Sequence, residues 1–242
     1  MKCNYRIILA IALFLLLIPS VSAWYDNSWN YKSNVIVSST IRPYQLSLNV
    51  SNSTGINNNT LVFCNGHCNA NFSDVLFTVN DTTAIPHWIE NAHGINSTTA
   101  KVWVNLTTNG TFQMYYGNTG AVPTSNGNTT FTLFDDFNNG TTFNTTKWDV
   151  GGAGSKAVAN GNLTLTNKYY IRSKSQYSSG YLMRTRARIG ADTQDHAFIG
   201  FSASTSYVKD QMNVFKTDYA DVSFQCLAGH DSVGYDEYIF SG

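Results

Sequence analysis

Apolar and polar residues alternate along most of this chain, which is the period-two pattern of β-strands. In residues 101–106, Val102, Val104 and Leu106 would share one face of a strand, and the residues between them would share the other. No stretch of useful length has the helical period. We therefore predict an all-β fold, with its clearest strands at residues 35–37, 44–50, 75–79, 85–90, 101–106, 112–116, 163–165, 169–171, 181–189, 197–201, 222–226 and 238–240.

Two interruptions divide this pattern. Pro86 lies inside the strand predicted at 85–90, and because proline has no backbone N–H, that strand should lie at a sheet edge or a bulge. Residues 121–130 are mostly small and read as a linker between domains at 24–120 and 131–242. Each part is long enough to form its own core. The alternative to two domains is a single large sandwich. Residues 35–37 and 44–50 are expected to form the first strand pair.

The first 23 residues have the features of a signal peptide. Lys2 and Arg6 precede an apolar run at 7–18, and the small residues 21–23 suit a signal peptidase. This run is shorter than the roughly 20 residues that a membrane-spanning helix needs. An uncleaved N-terminal anchor is the alternative. We expect the mature chain to start at residue 24, to have no transmembrane span, and to be secreted or displayed on the cell surface.

The charge balance argues against nucleic-acid binding. The 15 Lys and Arg residues balance 15 Asp and Glu residues, and no basic cluster stands out. Because affinity for nucleic acids rests on neutralising phosphates, such partners are not expected.

Aromatic residues make up 14% of the chain, which suits a packed β core and also surfaces that stack on sugars. The expected partners are cell-envelope glycans or surface proteins.

Asn-x-Ser/Thr sequons are frequent in the first two thirds of the chain. We expect many of them to be glycosylation sites on exposed loops, and the alternative is that these are simply Asn- and Thr-rich loops. The twelve candidate asparagines are Asn49, Asn52, Asn58, Asn71, Asn80, Asn96, Asn105, Asn109, Asn128, Asn139, Asn144 and Asn162.

Three cysteines remain once the leader, with Cys3, is removed. Cys64 and Cys68 flank an Asn-Gly turn, and in an oxidising compartment we expect a disulfide between them. The alternative is zinc held by these two cysteines and His67, which lacks a fourth ligand. Cys226 would lie on the same face of its predicted strand as apolar neighbours, and we therefore expect a buried thiol.

Five ordered blocks in the first part resemble DUF2341, a domain of unknown function found on secreted and surface proteins of archaea and bacteria. They are Trp-Asn-Tyr-Lys at 29–32, Asp-Val-Leu-Phe at 74–77, Ile-Pro-His-Trp-Ile-Glu at 85–90, Ala-Lys-Val-Trp-Val at 100–104 and Met-Tyr-Tyr-Gly-Asn at 114–118. The second block has leucine where the family usually has arginine. The resemblance implies an extracellular β-sandwich but no reaction.

The second part is similar to the concanavalin A-like (laminin-G-like) jelly rolls that commonly follow this domain. The similar features are Phe-Asp-Asp-Phe at 134–137, Lys147-Trp148 and an Asn-Gly hairpin at 160–163. Jelly rolls of this kind are longer than residues 131–242. The resemblance therefore implies an incomplete concanavalin A-like sandwich, either a fragment or one that receives strands from elsewhere.

Asp135 and Asp136 are candidate calcium ligands, since such jelly rolls often bind calcium. Adjacent residues of a strand point to opposite faces, so both carboxylates reach one ion only at a bulge. The alternative is a surface turn. Structural calcium is the one cofactor that we consider.

Candidate ligand-binding residues occur on the strand predicted at 181–189. Arg184, Arg186 and Arg188 would align on one face about 6.6–7 Å apart and could contact anionic glycans. A solvated sheet face is the alternative. Tyr169 and Tyr207 are candidate rings for stacking on sugars.

The sequence does not favour catalysis. A retaining glycosidase needs two carboxyl groups about 5 Å apart. The chain has two glutamates, Glu90 and Glu237, and the cluster formed by Asp231, Asp236 and Glu237 departs from the laminarinase-type spacing. We expect a non-catalytic pair of surface modules for glycan recognition or adhesion. The alternatives are a glycosylated spacer and a fragment of a polysaccharide-active enzyme.

Overall fold

The computed structural model describes residues 24–37, 43–90, 98–167, 169–177, 180–188, 198–202, 212–217, 224–229 and 235–240. The chain is all-β, as predicted, and it divides into two compact units, residues 1–135 and 136–242. The predicted signal peptide, residues 1–23, lies outside the described residues. Over the described ranges, no helix has the length and apolar character that a bilayer crossing requires.

The first unit is a β-sandwich of two four-stranded sheets. The first sheet has the order β1-β8-β4-β5 and is antiparallel throughout, and the second has the order β3-β2-β7-β6, in which only β2 and β3 are parallel. The elements are β1 (Tyr31–Val35), β2 (Tyr44–Ser51), β3 (Leu61–Phe63), β4 (Leu76–Val79), β5 (Thr83–Ile85), β6 (His87–Ile89), β7 (Thr99–Leu106), β8 (Phe112–Tyr116) and a short helix, α1 (Gly127–Thr130).

One apolar core fills the space between the two sheets. In β7 burial alternates along the strand, so that Val102, Val104 and Leu106 point inward, as their spacing predicts. Phe77 and Met114 of the first sheet lie in the same core cluster. The sandwich is therefore held together by the inward residues of both sheets.

Pro86 marks a change of sheet rather than an irregularity within one strand. The strand predicted at 85–90 is two strands, because β5 ends at Ile85 and pairs with β4, whereas β6 begins at His87 and pairs with β7. Both are edge strands, as the proline predicts. A residue without an N–H suits this crossing, because it cannot donate to either ladder.

The first two strands do not pair with each other, contrary to expectation. β1 pairs with β8 and β2 pairs with β7, so they belong to different sheets. The alternating pattern shows which face of a strand is apolar, but it does not say which strand lies beside it. The short parallel strand β3 was not predicted.

The loop from residue 64 to 74 is held at one end of the sandwich by a disulfide and by hydrogen bonds of two side chains. The predicted Cys64–Cys68 disulfide is present, and its sulfurs are therefore not available for the alternative zinc site. Asn52 makes two hydrogen bonds to the backbone of Cys68. The buried carboxylate of Asp74 accepts from Asn69 N at 2.8 Å and from Gly117 N at 3.1 Å.

The segment that follows β8 covers the outer face of the second sheet. Phe131 and Phe134 pack edge-on against Trp88, with ring centroids 5.8 and 4.8 Å away, and Phe131 also contacts Trp103. Asn126 caps helix α1 and donates its backbone N–H to His87 O at the edge of β6. Residues 126–134 thus belong to the first unit, although the sequence predicts that 121–130 is a linker and that the second domain begins at 131.

The second unit consists of small antiparallel sheets. Its strands are β9 (Trp148–Gly152), β10 (Ser155–Ala159), β11 (Asn162–Thr166), β12 (Tyr169–Ser173), β13 (Phe198–Ser202), β14 (Met212–Thr217), β15 (Phe224–Gly229) and β16 (Tyr235–Phe240). β9 pairs with β12, β10 with β11, and β13 to β16 form a meander in chain order. The predicted Asn-Gly hairpin is confirmed, with Asn160 and Gly161 both at positive φ between β10 and β11.

The long strand predicted at 181–189 is not formed over residues 181–188. These residues have no regular secondary structure, and all of them are exposed. A strand needs a hydrogen-bonded neighbour, which an alternating sequence cannot supply by itself.

We predict that acidification destabilises the first unit through His87. Its side chain is buried in the core beside Phe77, and burial lowers its pKa from 6.5 to about 4. Because the unfolded chain binds this proton more readily, the stabilisation is complete above pH 6.5 and is lost as the pH falls towards 4. Urea denaturation should show a loss of roughly 2–3 kcal/mol between pH 7 and 4.5 from this residue.

The matched controls are two histidine substitutions. His87→Phe should remove this component of the acid sensitivity, whereas His67→Phe, at an exposed histidine, should retain it. Equal acid sensitivity of the wild type and His87→Phe would contradict the prediction.

A second prediction concerns the segment 126–134. Phe131→Ala should destabilise the first unit by about 2 kcal/mol, because it removes a half-buried ring that packs on Trp88 and Trp103. Chemical unfolding followed by tryptophan fluorescence measures this loss. Phe143→Ala, in the second unit, is the control and should leave the transition of the first unit in place. The assignment of Phe131 to the first unit is wrong if both variants behave alike.

Candidate functional site

A cluster of aromatic and charged side chains lies on the outer face of the first sheet. We call it the Tyr115 site and define it by Trp24, Tyr25, Lys32, Asp81 and Tyr115. Lys32 of β1 and Tyr115 of β8 are register partners, on the strand face opposite to the core residues. The other residues reach this face from the N-terminal segment and from the β4–β5 turn.

The turn between β4 and β5 places Asp81 over the sheet. Asn80 and Asp81 have φ values of 53° and 56°, and Thr82 N donates to Val79 O at 3.2 Å, so these residues form a tight hairpin turn with two left-handed residues. Asn and Asp tolerate this conformation better than other residues with a side chain. Asn80 Oδ1 accepts from Thr111 N at 2.9 Å, which fixes the turn against the start of β8.

Both carboxylate oxygens of Asp81 have a partner. The Tyr115 hydroxyl donates a short hydrogen bond to Oδ1, and Lys32 Nζ lies 3.0 Å from Oδ2. The Tyr115 oxygen also accepts from Tyr25 N at 3.1 Å. The side chains of Lys32 and Asp81 are only 23% and 18% exposed, so this ion pair is largely shielded from water.

Three aromatic rings of the N-terminal segment surround Tyr115. Trp24 lies edge-on to it at a centroid distance of 5.6 Å, and Tyr25 and Trp29 lie at 6.2 and 6.4 Å. Lys32 Nζ is 5.3 Å from the centroid of the Trp24 ring, a cation–π distance. Tyr115 is fully buried, whereas Trp24 and Tyr25 remain 39% and 37% exposed.

The environment of Tyr115 holds its phenol in the neutral form. Burial raises its pKa to about 12, and the hydrogen bond to Asp81 adds to the increase, while the N–H of Tyr25 opposes it. At neutral pH Tyr115 is therefore a fixed hydrogen-bond donor beneath two exposed rings. The arrangement can present aromatic faces together with a shielded charge pair, which suits the binding of an amphipathic ligand.

The residues proposed for calcium lie where the two compact units divide. Asp135 ends the first unit and Asp136 begins the second. Asp136 accepts two hydrogen bonds from Asn138, both at 3.3 Å, as in the predicted surface turn. Within the described ranges, no group of three or more His, Cys, Asp or Glu side chains is arranged to hold a metal ion. Calcium at these residues stays a prediction.

The residues predicted to bind glycans on the second unit lie on different segments of the chain. Arg184, Arg186 and Arg188 are exposed in the segment without strand structure. Tyr169 lies in β12, half-buried, with Lys156 Nζ 5.8 Å from its ring centroid. Tyr207 lies outside the described residues.

The structure describes three of the four acidic residues considered for catalysis. Glu90 belongs to the first unit, where its carboxylate accepts from Trp103 Nε1 at 3.0 Å. Asp236 and Glu237 lie in β16, and Asp231 lies outside the described residues.

The structure gives the exposure of eleven of the twelve sequon asparagines. Asn52 and Asn105 are half-buried, and each uses its side-chain N–H₂ in a hydrogen bond, to Cys68 O and to Thr129 O. Asn49 and Asn144 are also half-buried, and Asn96 lies outside the described residues. The exposed candidates are Asn58, Asn71, Asn80, Asn109, Asn128, Asn139 and Asn162.

Reasoning from the sequence did not single out the Tyr115 site. One available signal was the alternation of residues along β8. Tyr115 points to the strand face opposite to that of its apolar neighbours Met114 and Tyr116, and it therefore had to lie on the outer face of the sheet. Asn80-Asp81 between two strands was a second signal, for a tight turn. Nothing in the pattern linked this turn to Lys32 or to the N-terminal aromatic residues.

Comparison with protein families gives one match. Residues 71–151 match the model of the family described as "Domain of unknown function (DUF2341)", as the blocks at 74–118 predict. The match covers a third of the chain, and its start leaves the block at 29–32 outside. The comparison with curated proteins and the comparison with solved structures each gave no match.

We predict that Tyr115→Phe destabilises the first unit by about 1–2 kcal/mol, because Asp81 Oδ1 and Tyr25 N both lose their partner. Tyr44→Phe, at a tyrosine 37% exposed in β2, is the control and should change stability little. Urea denaturation at pH 7 measures both.

The same pair of variants has a second readout at alkaline pH. The raised pKa of Tyr115 means that the unfolded chain loses this proton first, so its contribution to stability is present below pH 10 and is lost as the pH rises towards 12. Tyr115→Phe should lack this loss, and Tyr44→Phe should keep it. An unchanged alkaline profile in Tyr115→Phe would contradict the assigned environment.

Proposed function

We propose that this protein is a non-catalytic extracellular module that recognises glycans at a cell envelope, with Trp24 and Tyr25 as the rings on which a sugar stacks. The observation that carries the proposal is the presence of two adjacent aromatic side chains, each more than a third exposed, on the outer face of a sandwich. Both rings pack at their inner side on the buried Tyr115. The apolar face of a pyranose ring matches such a surface in size and chemistry.

The way the two rings are held supports a binding role. Tyr25 is fixed through its backbone N–H to the Tyr115 oxygen, and Trp24 has Lys32 Nζ over its ring. A surface that is already ordered loses less conformational entropy when a ligand binds. Asp26 follows directly in the chain, and its side chain accepts from Ser28 N at 2.8 Å, which orders the next turn beside the rings.

An extracellular location is part of this proposal. It is supported by the Cys64–Cys68 disulfide, since such bonds persist mainly in oxidising compartments. The signal-peptide features of residues 1–23 and the seven exposed sequons point the same way.

A second candidate function, a glycosylated structural spacer, is favoured by the spread of the exposed sequons. They occur on both units, from Asn58 to Asn162. Glycans at these positions would cover much of the surface and protect it from proteases. In this role the rings of Trp24 and Tyr25 would have no ligand.

We also propose that the second unit is a concanavalin A-like jelly roll. The Asn160-Gly161 hairpin and the antiparallel meander from β13 to β16 support this, since both belong to the strand series that the resemblance implies. Calcium near Asp136 would be an accessory of that fold.

We predict that Trp24→Ala and Tyr25→Ala each weaken glycan binding by about tenfold or more, because each removes one stacked ring. A glycan array with the mature chain would identify the ligand, and calorimetry would give the affinities. Tyr44→Ala, which removes an equally exposed ring from the second sheet, should bind as the wild type does.

Two other outcomes decide between the alternatives. Loss of binding in the double variant Arg184→Ala, Arg186→Ala, with Trp24→Ala unaffected, would place recognition on the second unit. A lack of binding to every glycan, by a folded and glycosylated chain, would favour the spacer.

A further inference from the structure

The ion pair between Lys32 and Asp81 holds an amine group and a carboxyl group in direct contact. Nζ lies 3.0 Å from Oδ2, and this oxygen is bonded directly to the carboxyl carbon Cγ. Lys32 is held in β1 by its pairing with Tyr115. Asp81 is held by the tight turn and by its N–H, which donates to Gln113 Oε1 at 3.3 Å. Groups fixed at such a distance react as if each were present at very high concentration.

Aromatic rings lie beside the pair. The pair lies between the rings of Trp24 and Tyr115, at 5.3 and 6.0 Å from Lys32 Nζ. The two side chains are only 23% and 18% exposed, so little water reaches the contact between them. A proton transferred from Nζ to Oδ2 gives an amine and a carboxylic acid in contact.

Tyr115 supplies the third group. Its hydroxyl donates to Oδ1, the carboxyl oxygen that does not face Lys32. This bond draws electron density from Cγ and stabilises the negative charge that Oδ1 acquires during nucleophilic attack. The N–H of Tyr25 keeps the Tyr115 oxygen in place from the other side.

We propose that Lys32 and Asp81 condense to an intramolecular amide (isopeptide) bond that ties β1 to the β4–β5 turn. The Lys32 ammonium gives one proton to Oδ2, and the free electron pair of Nζ then attacks Cγ. The tetrahedral intermediate has its negative charge on Oδ1, bonded to Tyr115. The Cγ–Oδ2 bond breaks, and Oδ2 leaves as water with a second proton that comes from Nζ. One N–C bond and one water molecule are formed, and no oxidant or reductant is consumed.

The cross-link would act at an edge of the first sheet. β1 is an edge strand of the first sheet, bonded to β8 alone in the observed strand order. The bond would close a chain segment with a sequence separation of 49 residues between Lys32 and Asp81. A covalent closure of this kind restricts the unfolded chain and raises the unfolding temperature. It would also keep the N-terminal aromatic segment on the sheet.

The test is the mass of the purified full chain, followed by peptide mapping after proteolysis under denaturing conditions. We expect the peptide that contains Lys32 to be recovered joined to the peptide that contains Asp81, at their summed mass less one water. A succinimide at Asp81 also loses one water, but it leaves the two peptides separate and would count against the proposal.

Three variants make the test specific. Lys32→Arg keeps the ion pair but lacks a reactive amine, and Asp81→Ala lacks the carboxyl group; both should give separate peptides without the loss of water. Tyr115→Phe should fold, as judged by circular dichroism, and should form the bond more slowly. Lys101→Arg, in β7, is the control and should retain the cross-link. Recovery of the two peptides unlinked from folded wild-type protein, after prolonged incubation, overturns the proposal.

Discussion

The burial of β8 on both faces is the constraint from which the first unit follows. All five residues of this strand are buried. Phe112, Met114 and Tyr116 face the core, so Gln113 and Tyr115 must face outward and still be covered. A buried polar group costs free energy unless it finds a hydrogen-bond partner. The N-terminal segment and the β4–β5 turn supply both the cover and the partners, and the Tyr115 site results.

The sequence predicts the parts of this fold that depend on a single strand and leaves open those that depend on which strands meet. The inward residues of β7, the edge position at Pro86 and the Asn160-Gly161 hairpin follow from local pattern and turn chemistry. The separation of β1 from β2 does not, because partner choice is decided by the whole core. For the same reason the sequence does not predict the contact between Asp81 and Lys32, which are far apart in the chain.

The blocks that resemble DUF2341 are largely explained by the stability of the sandwich. Asp74 fixes the disulfide loop to the end of β8, and Gly117 has a φ of 77° with no room for a Cβ beside the Tyr31 ring. Trp88 and Trp103 hold the segment 126–134 on the second sheet. A side chain that fixes the fold in this way says little about the ligand. This explains why the resemblance predicts the architecture better than the function.

The exposed part of the Tyr115 site lies outside the region of the family match. Trp24, Tyr25 and Lys32 all precede residue 71, where the family match begins, whereas Asp81 and Tyr115 lie within it. The matched region thus provides a buried tyrosine and a carboxylate on an outer face, and the N-terminal segment adds the rings and the amine. Tyr115 connects the two parts, because one hydroxyl orients both the carboxyl group of Asp81 and the backbone that carries the exposed rings.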